Sequence, residues 1–166
     1  MFESSQITAI EIPEGVTTIE ERAFASSNLN TISFPSTLTS IGEEAFGRCK
    51  NLTTIYFPAS LTTIGIYAFE NCKNLRDVYN LATIPQVLDS DYSFATGNMD
   101  GIIYGATLHV VPGCKAAYQA ANVWKDFSNI VEDAVPADIK SNYKPVQSIK
   151  SRYTLDGRFS SKQKGG

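Results

Sequence analysis

The chain has 166 residues, 43% of them hydrophobic and 19% charged, the make-up of an ordinary globular chain with enough apolar side chains for a sizeable core. No stretch of 18 apolar residues is present, which argues against a membrane-spanning helix. Seven basic residues against Asp156 alone give the stretch from Lys140 onward +6, so the net charge of −3 leaves −9 on residues 1–139. An acidic body of that size argues against nucleic acid as a partner.

The opening MFESSQITAIEIP lacks a basic segment followed by an apolar one, so it does not read as a signal peptide. The expectation is a cytoplasmic chain, or one whose leader is already gone. Three cysteines are an odd number and none stands in a C-x-x-C pair, which argues against a disulfide framework or a structural zinc site.

Residues 7–28, 29–51 and 52–74 carry nearly the same text three times. Ile10, Ile32, Ile55 and Val78 follow one another at steps of 22, 23 and 23, and Pro13, Pro35 and Pro58 keep the same phase. Ile19, Ile41 and Ile64 do so too, as do the pairs Ala23-Phe24, Ala45-Phe46 and Ala68-Phe69. A fixed period in the twenties signifies a solenoid, in which no unit buries its apolar face alone and stacking supplies the core. Within a unit, L-T-T-I-Y-F-P alternates with period two until the proline ends it, the mark of a short strand. Leu52, Ile55 and Phe57 then point inward, Thr54 and Tyr56 outward. The second half, L-T-T-I-G-x-x-A-F, predicts a return segment with a tight turn at Gly65 and a single helical turn carrying Ala68 and Phe69. Phe24, Phe46 and Phe69 become an aromatic ladder. Asn28, Asn51 and Asn74, each preceding the leucine of the next unit, are expected as a second, buried ladder that hydrogen-bonds backbone.

The frame L-x-x-I-x-F-P-x-x-L-T-x-I-G-x-x-A-F-x-x-C-x-N-L resembles the BspA-type leucine-rich repeat of bacterial surface proteins, at full strength over residues 7–79. The resemblance implies a leucine-rich-repeat solenoid, a right-handed β/α superhelix dominated by parallel strands, with short helical turns and a C-terminal capping helix. It also implies a cell-surface or secreted protein of a host-associated bacterium that acts in adhesion. The first copy is one residue short and has no cysteine. Residues 75–107 are a degenerate fourth unit, and residues 108–132, LHVVPGCKAAYQAANVWKDFSNIVE, resemble the terminal unit. The residues themselves agree: Pro112-Gly113-Cys114 is a turn and helix start, with Tyr118, Ala121 and Trp124 at helical spacing up to Asp126. Trp124 and Phe127 are expected to plug the last coil. The six residues before the first repeat are too few for a cap, so the N-terminal coil is expected to continue another array or to self-associate.

Residues 133–166 form a basic linker and tail, with a hairpin turn expected at Asp156-Gly157. The body of the chain is thus residues 1–132.

Signals for catalysis are weak. The single histidine, His109, stands five residues from Cys114, a cysteine near a helix start where a thiol pKa can fall, but a strand histidine and a turn cysteine explain both. Asp89, Asp91, Ser93 and Asp100 echo a calcium loop whose sixth position should be glycine and is Phe94. Phe94 instead fits the ladder phenylalanine of the fourth coil. Cys49 and Cys72 lie in phase as stacked core neighbours, close enough in this register for a bridge, with two small buried thiols the favoured reading. No cofactor, metal or enzymatic activity is expected.

What remains is a surface. Outward residues of successive strands stand roughly 4.8 Å apart. One column reads Glu11, Ser33, Tyr56, Tyr79 and His109; its neighbour contains Thr54 and Asp77. Tyrosine is favoured at interfaces for its large area and hydroxyl at low entropic cost, while aromatics also simply suit exposed strands. The expected function is a non-enzymatic module that binds a protein, or a glycan, through these residues. The alternative is a structural spacer or self-assembly unit.

Overall fold

The computed structural model describes residues 4–88, 92–94 and 105–133. The chain winds as a parallel-strand β-solenoid. One side carries β1 (Ala9–Glu11), β3 (Thr31–Ser33), β5 (Thr54–Phe57), β7 (Asp77–Asn80), β9 (Thr107–Val110) and β10 (Asn129–Glu132). A second side carries the two-residue strands β2 (Thr18–Ile19), β4 (Ser40–Ile41), β6 (Thr63–Ile64) and β8 (Val87–Leu88). Every pairing among the described strands is parallel, and the full repeats keep phase: Ile10 lies on Ile32, Ile55 on Val78, and Ile19 on Ile41 and Ile64 in turn. Repeat identity is therefore register, because each inward residue must sit over its counterpart for either to leave water.

Alternation within a strand puts Ile55 and Phe57 in the core and leaves Thr54 and Tyr56 half-exposed, as the period-two reading requires. The second side runs unbroken from β2 to β8, whereas the first divides into the pair β1–β3 and the sheet β5–β7–β9–β10. Across that division the coils meet through Phe34 and Phe57, stacked at 6.3 Å.

The third side was expected to hold one helical turn per coil, and here the structure differs. Backbone N–H groups alternate in direction. Those of Ala23, Ala25 and Ser27 close turns within their own coil, while those of Arg22, Phe24 and Ser26 reach Glu43, Ala45 and Gly47 of the next. The same alternation recurs one coil on, from Glu44, Phe46 and Arg48 to Ile66, Ala68 and Glu70. A helix cannot do this, since all its N–H groups point one way along its own axis. Flipping alternate peptides requires left-handed backbone, found at Arg22, Ser26, Glu44, Arg48, Tyr67 and Asn71 with φ between 50° and 62°. That conformation costs a non-glycine residue about 1–2 kcal/mol, offset here by axial hydrogen bonds that tie coil to coil.

Glycine serves close approach instead. A Cβ on Gly65 would lie 2.8 Å from the backbone nitrogen of Glu43 and from the carbonyl carbon of Gly42, and one on Gly42 would meet the nitrogen of Glu21 at 2.8 Å. Coil contact, more than turn geometry, explains the I-G step.

The core is a single column. Phe24, Phe46, Phe69 and Phe94 stack at 5.3, 5.2 and 5.2 Å, almost parallel. Phe94 thus continues the ladder into the fourth coil, as expected. Beside the rings, Cys49 Sγ donates to the carbonyl of Phe24 at 3.1 Å and Cys72 Sγ to that of Phe46 at 3.2 Å. In the short first copy Ser27 takes the cysteine's place, 3.3 Å from Cys49 Sγ. Both cysteines are unbridged, and burial pushes their thiols up. The buried asparagine ladder is not found. Asn28 is half-buried against Gln6, Asn74 is exposed and donates to the carbonyl of Lys50, and Asn51 is exposed. Cysteine, not asparagine, answers the backbone inside these turns, because only the cysteine lies on the core side of the coil.

Helix is confined, among the described residues, to α1 (Lys115–Ala120) and a 3-10 turn at Trp124–Asp126. The run expected to stay helical to Asp126 breaks where Ala121 turns extended and Val123 adopts φ 66°. The break places the Trp124 Nε1–H on the carbonyl of Gln86 at 3.1 Å, while the Tyr118 hydroxyl donates to that of Ala82 at 2.9 Å. Trp124 and Phe127 stack at 5.9 Å and are both buried. Asn80 and Gln86 exchange amide hydrogen bonds at 2.7 and 2.9 Å, fixing the carbonyls that receive the two rings. The hairpin at Asp156-Gly157, most of the calcium-like loop and the tail from residue 134 lie outside the described residues.

Two consequences can be measured. Gly65→Ala should lower unfolding free energy by roughly 1–3 kcal/mol in urea titration, the usual cost of overpacking, whereas Gly15→Ala, whose Cβ would meet nothing, should act only through its left-handed φ. A thiol reagent added to the native protein should label Cys114 first and reach Cys49 and Cys72 only on unfolding, which mass spectrometry of the labelled peptides reads directly.

Candidate functional site

The strand side positions the candidate residues by register alone. Tyr56 pairs with Tyr79, Tyr79 with His109, and His109 with Val131, so four successive strands supply one outward row. The Tyr56 and Tyr79 rings stack at 4.7 Å and Tyr79 and His109 at 4.1 Å, within 14° and 19° of parallel. Rings stacked this way cover one another's faces and turn their edges outward. Glu11 and Ser33 share the phase of this row and pair with one another, but they belong to the separate β1–β3 sheet. The column predicted as one line of five is therefore two segments: a small polar pair, and an aromatic run of three.

The neighbouring row contains Thr54, Asp77 and Thr107 in mutual register, all half-exposed. Asp77 does more than flank the rings. Its Oδ1 lies 3.1 Å from His109 Nε2, while Asp133 Oδ2 lies 2.6 Å from His109 Nδ1. The His109 side chain keeps only 13% of its surface exposed. Sequence reasoning placed Asp77 in the patch without its bond to His109, and it missed Asp133 entirely. The one available signal was position: an acid immediately after the strand that pairs with β9.

This arrangement bears on catalysis. Both ring nitrogens of His109 are engaged by carboxylates, so neither is turned to Cys114 as a base. The Cys114 thiol is moreover pushed up, by burial and by the nearby Glu132 carboxylate, rather than lowered by the helix start, which agrees with the plain turn cysteine. Glu132 supplies the reason, because its Oε1 already accepts the N–H groups of Gly113 and Lys115 and so holds negative charge at the start of α1. Among the described residues no group of three or more His, Cys, Asp or Glu side chains is placed to hold a metal ion. What the geometry offers is a ridge of aromatic edges bordered by hydroxyls and carboxylates.

Other coil-to-coil pairs are supports. Arg22 makes a two-pronged contact to Glu44, at 3.1 and 2.8 Å, and holds the Glu44 carboxyl below its ordinary value. Glu14 accepts from the backbone and hydroxyl of Ser36. No helix among the described residues is long and apolar enough to cross a membrane.

Against known proteins, the chain's structure is similar to that of the pneumococcal vaccine antigen PcpA, at a TM-score of 0.45 and 16% identity, over 81% of this chain. The match spans 38% of the antigen's chain. No curated protein matches. The BspA type Leucine rich repeat region matches residues 1–114, in six copies. With most of its length in that pattern, the chain belongs to the BspA-type leucine-rich-repeat family.

Proposed function

We propose that this chain is a non-enzymatic binding module of a cell-surface or secreted bacterial protein, and that it takes a protein ligand on its strand side, as in adhesion to host matrix or to other cells. One observation carries the reading: Tyr56, Tyr79 and His109 form a continuous in-register stack on one hydrogen-bonded sheet. Stacked rings are already ordered before any ligand arrives, so binding through them sacrifices little side-chain entropy. Thr54 and Asp77 add a hydroxyl and a charge to orient a partner, and Glu11 and Ser33 extend the surface toward the first coil. A glycan is the other ligand this mix of ring edges and hydroxyls suits. In this reading α1, Trp124 and Phe127 cap a right-handed β/α superhelix, and the solenoid body is residues 1–132 with the basic linker and tail beyond.

Self-association is the second reading, and a separate observation favours it. Ile7, Ile10, Val16 and Ala23 of the first coil are half-buried, whereas their counterparts Leu29, Ile32, Leu38 and Ala45 are buried. Another coil of the same kind would complete their cover. That occupant would make the chain a spacer or assembly unit.

Immobilised host-matrix proteins and glycans, probed with this chain and with a Tyr56→Ala/Tyr79→Ala variant of matching circular dichroism, separate the two. Under the binding reading the variant loses tenfold or more in affinity for one panel member. If no panel member is bound, and the mass in solution doubles with concentration, the assembly reading replaces it.

A further inference from the structure

The first side of the solenoid differs from the rest of the body in charge as well as in its rings. Its six strands contain Glu11, Asp77 and Glu132 and neither lysine nor arginine. Asp133, directly after β10, adds another carboxylate. Arg76, just before β7, turns its guanidinium back to the carbonyl of Leu75 at 3.2 Å. Arg22, Arg48, Lys50 and Lys73 lie in or directly after the third-side turns, and Lys115 and Lys125 in α1 and the 3-10 turn. Glu132 is turned to the start of α1, so the carboxylates along the ring row are Glu11, Asp77 and Asp133. The Asp77 side chain keeps 41% of its surface exposed although it also meets His109.

The rings restrict what such a face accepts. Both faces of Tyr79 are covered, by Tyr56 at 4.7 Å and by His109 at 4.1 Å. A sugar ring packs its C–H groups on an aromatic face, and a bare cation is drawn to the same face, where the quadrupole is negative. That face is already used, so Tyr79 offers an edge. Lysine and arginine suit an edge, because their aliphatic stems lie along apolar surface while the charged head reaches beyond it. Asp77 stands two residues from Tyr79 on the same face of β7, within reach of such a head.

We propose that the strand side takes a basic polypeptide segment and not a neutral glycan. Lysine or arginine stems lie across the ring edges and their heads meet Asp77, with Glu11 answering a second cation farther along the row. This rests on the binding reading above and narrows it to one class of ligand. Residues 1–139 carry −9 and draw a basic partner in from a distance, an effect that salt screens.

The nitrogen-labelled full chain would be titrated at low salt with a short synthetic peptide alternating lysine and threonine. Its glutamate–threonine counterpart and a neutral N-acetylglucosamine oligomer would be run beside it. The lysine peptide should shift the amide signals of Tyr56, Asp77, Tyr79 and Thr107 and leave those of Glu43 and Gly47 on the third side in place. Asp77→Asn should weaken that binding about two- to fivefold, the usual loss for an exposed ion pair. Glu11→Gln, on the separate β1–β3 sheet, should act in the same direction without touching the His109 contact. Glu43→Gln, which removes the same charge from the third side, should change nothing. A lysine peptide that shifts no strand-side amide overturns the proposal. Equal losses in Asp77→Asn and Glu43→Gln do so too, since net charge alone would then explain the binding. The same holds if the glutamate peptide or the oligomer shifts the strand-side amides as strongly. A matrix protein whose binding is lost in the Tyr56→Ala/Tyr79→Ala variant would keep the site even then, and discard only its basic ligand.

Discussion

Each coil of this molecule depends on the coil beside it to keep its apolar face from water, and the phenylalanine stack is where that dependence is strongest. Phe46 lies between Phe24 and Phe69 with nearly parallel rings, fully buried, and Phe34 meets its edge at 5.6 Å. Removing the next ring would leave a flat aromatic surface facing solvent. The spacing of about 5.2 Å slightly exceeds the roughly 4.8 Å between paired strands. The stack is therefore commensurate with the backbone ladder, and one translation serves both. Residues that break phase either lose their partner or need a local substitute, as Ser27 substitutes for cysteine in the short copy.

Translation also explains features that look unfavourable in isolation. Six non-glycine residues accept left-handed backbone in the third-side turns, and glycine at 42 and 65 removes the Cβ from a contact at 2.8 Å. Each brings main-chain donors of one coil onto acceptors of the next. The result is hydrogen bonding along the axis on all three sides, interrupted on the first between β3 and β5, with side chains left to decide identity inside and recognition outside. The outward aromatic run is a by-product of the same register that stacks the core, one residue removed from it: Ile55 and Val78 pair inside, Tyr56 and Tyr79 outside.

This is why so much was legible in the sequence. Anything repeating at 22 or 23 residues lies in a row, so the ladder phenylalanines, the inward isoleucines and the tyrosine pair could be placed by counting. Contacts outside the period could not. Asn80 and Gln86 form a lock with no counterpart in the other described coils, Trp124 reaches Gln86 across 38 residues, and Asp133 meets His109 through a strand that belongs to no full repeat. Besides the helical run that breaks at Ala121, local propensity misled in two places. The A-F segments suggested helix where axial hydrogen bonds demanded alternating turns, and asparagine suggested a buried ladder where cysteine stands closer to the core. The division between β3 and β5 left no mark in the spacing at all, since the step there is 23, the same as the paired step from β5 to β7.

The outward aromatic run depends on the register across the irregular fourth coil, where Tyr79 pairs with His109 over a step of 30 residues. A slip of one residue would reverse every side chain of β9 and send Leu108 and Val110 to the surface. Nuclear Overhauser contacts between β7 and β9 in labelled protein decide this directly. Contacts joining Tyr79 to His109 and Val78 to Leu108 are the predicted result. Contacts joining Tyr79 to Leu108 or Val110 would contradict the register, and with it the aromatic run on which the functional reading stands.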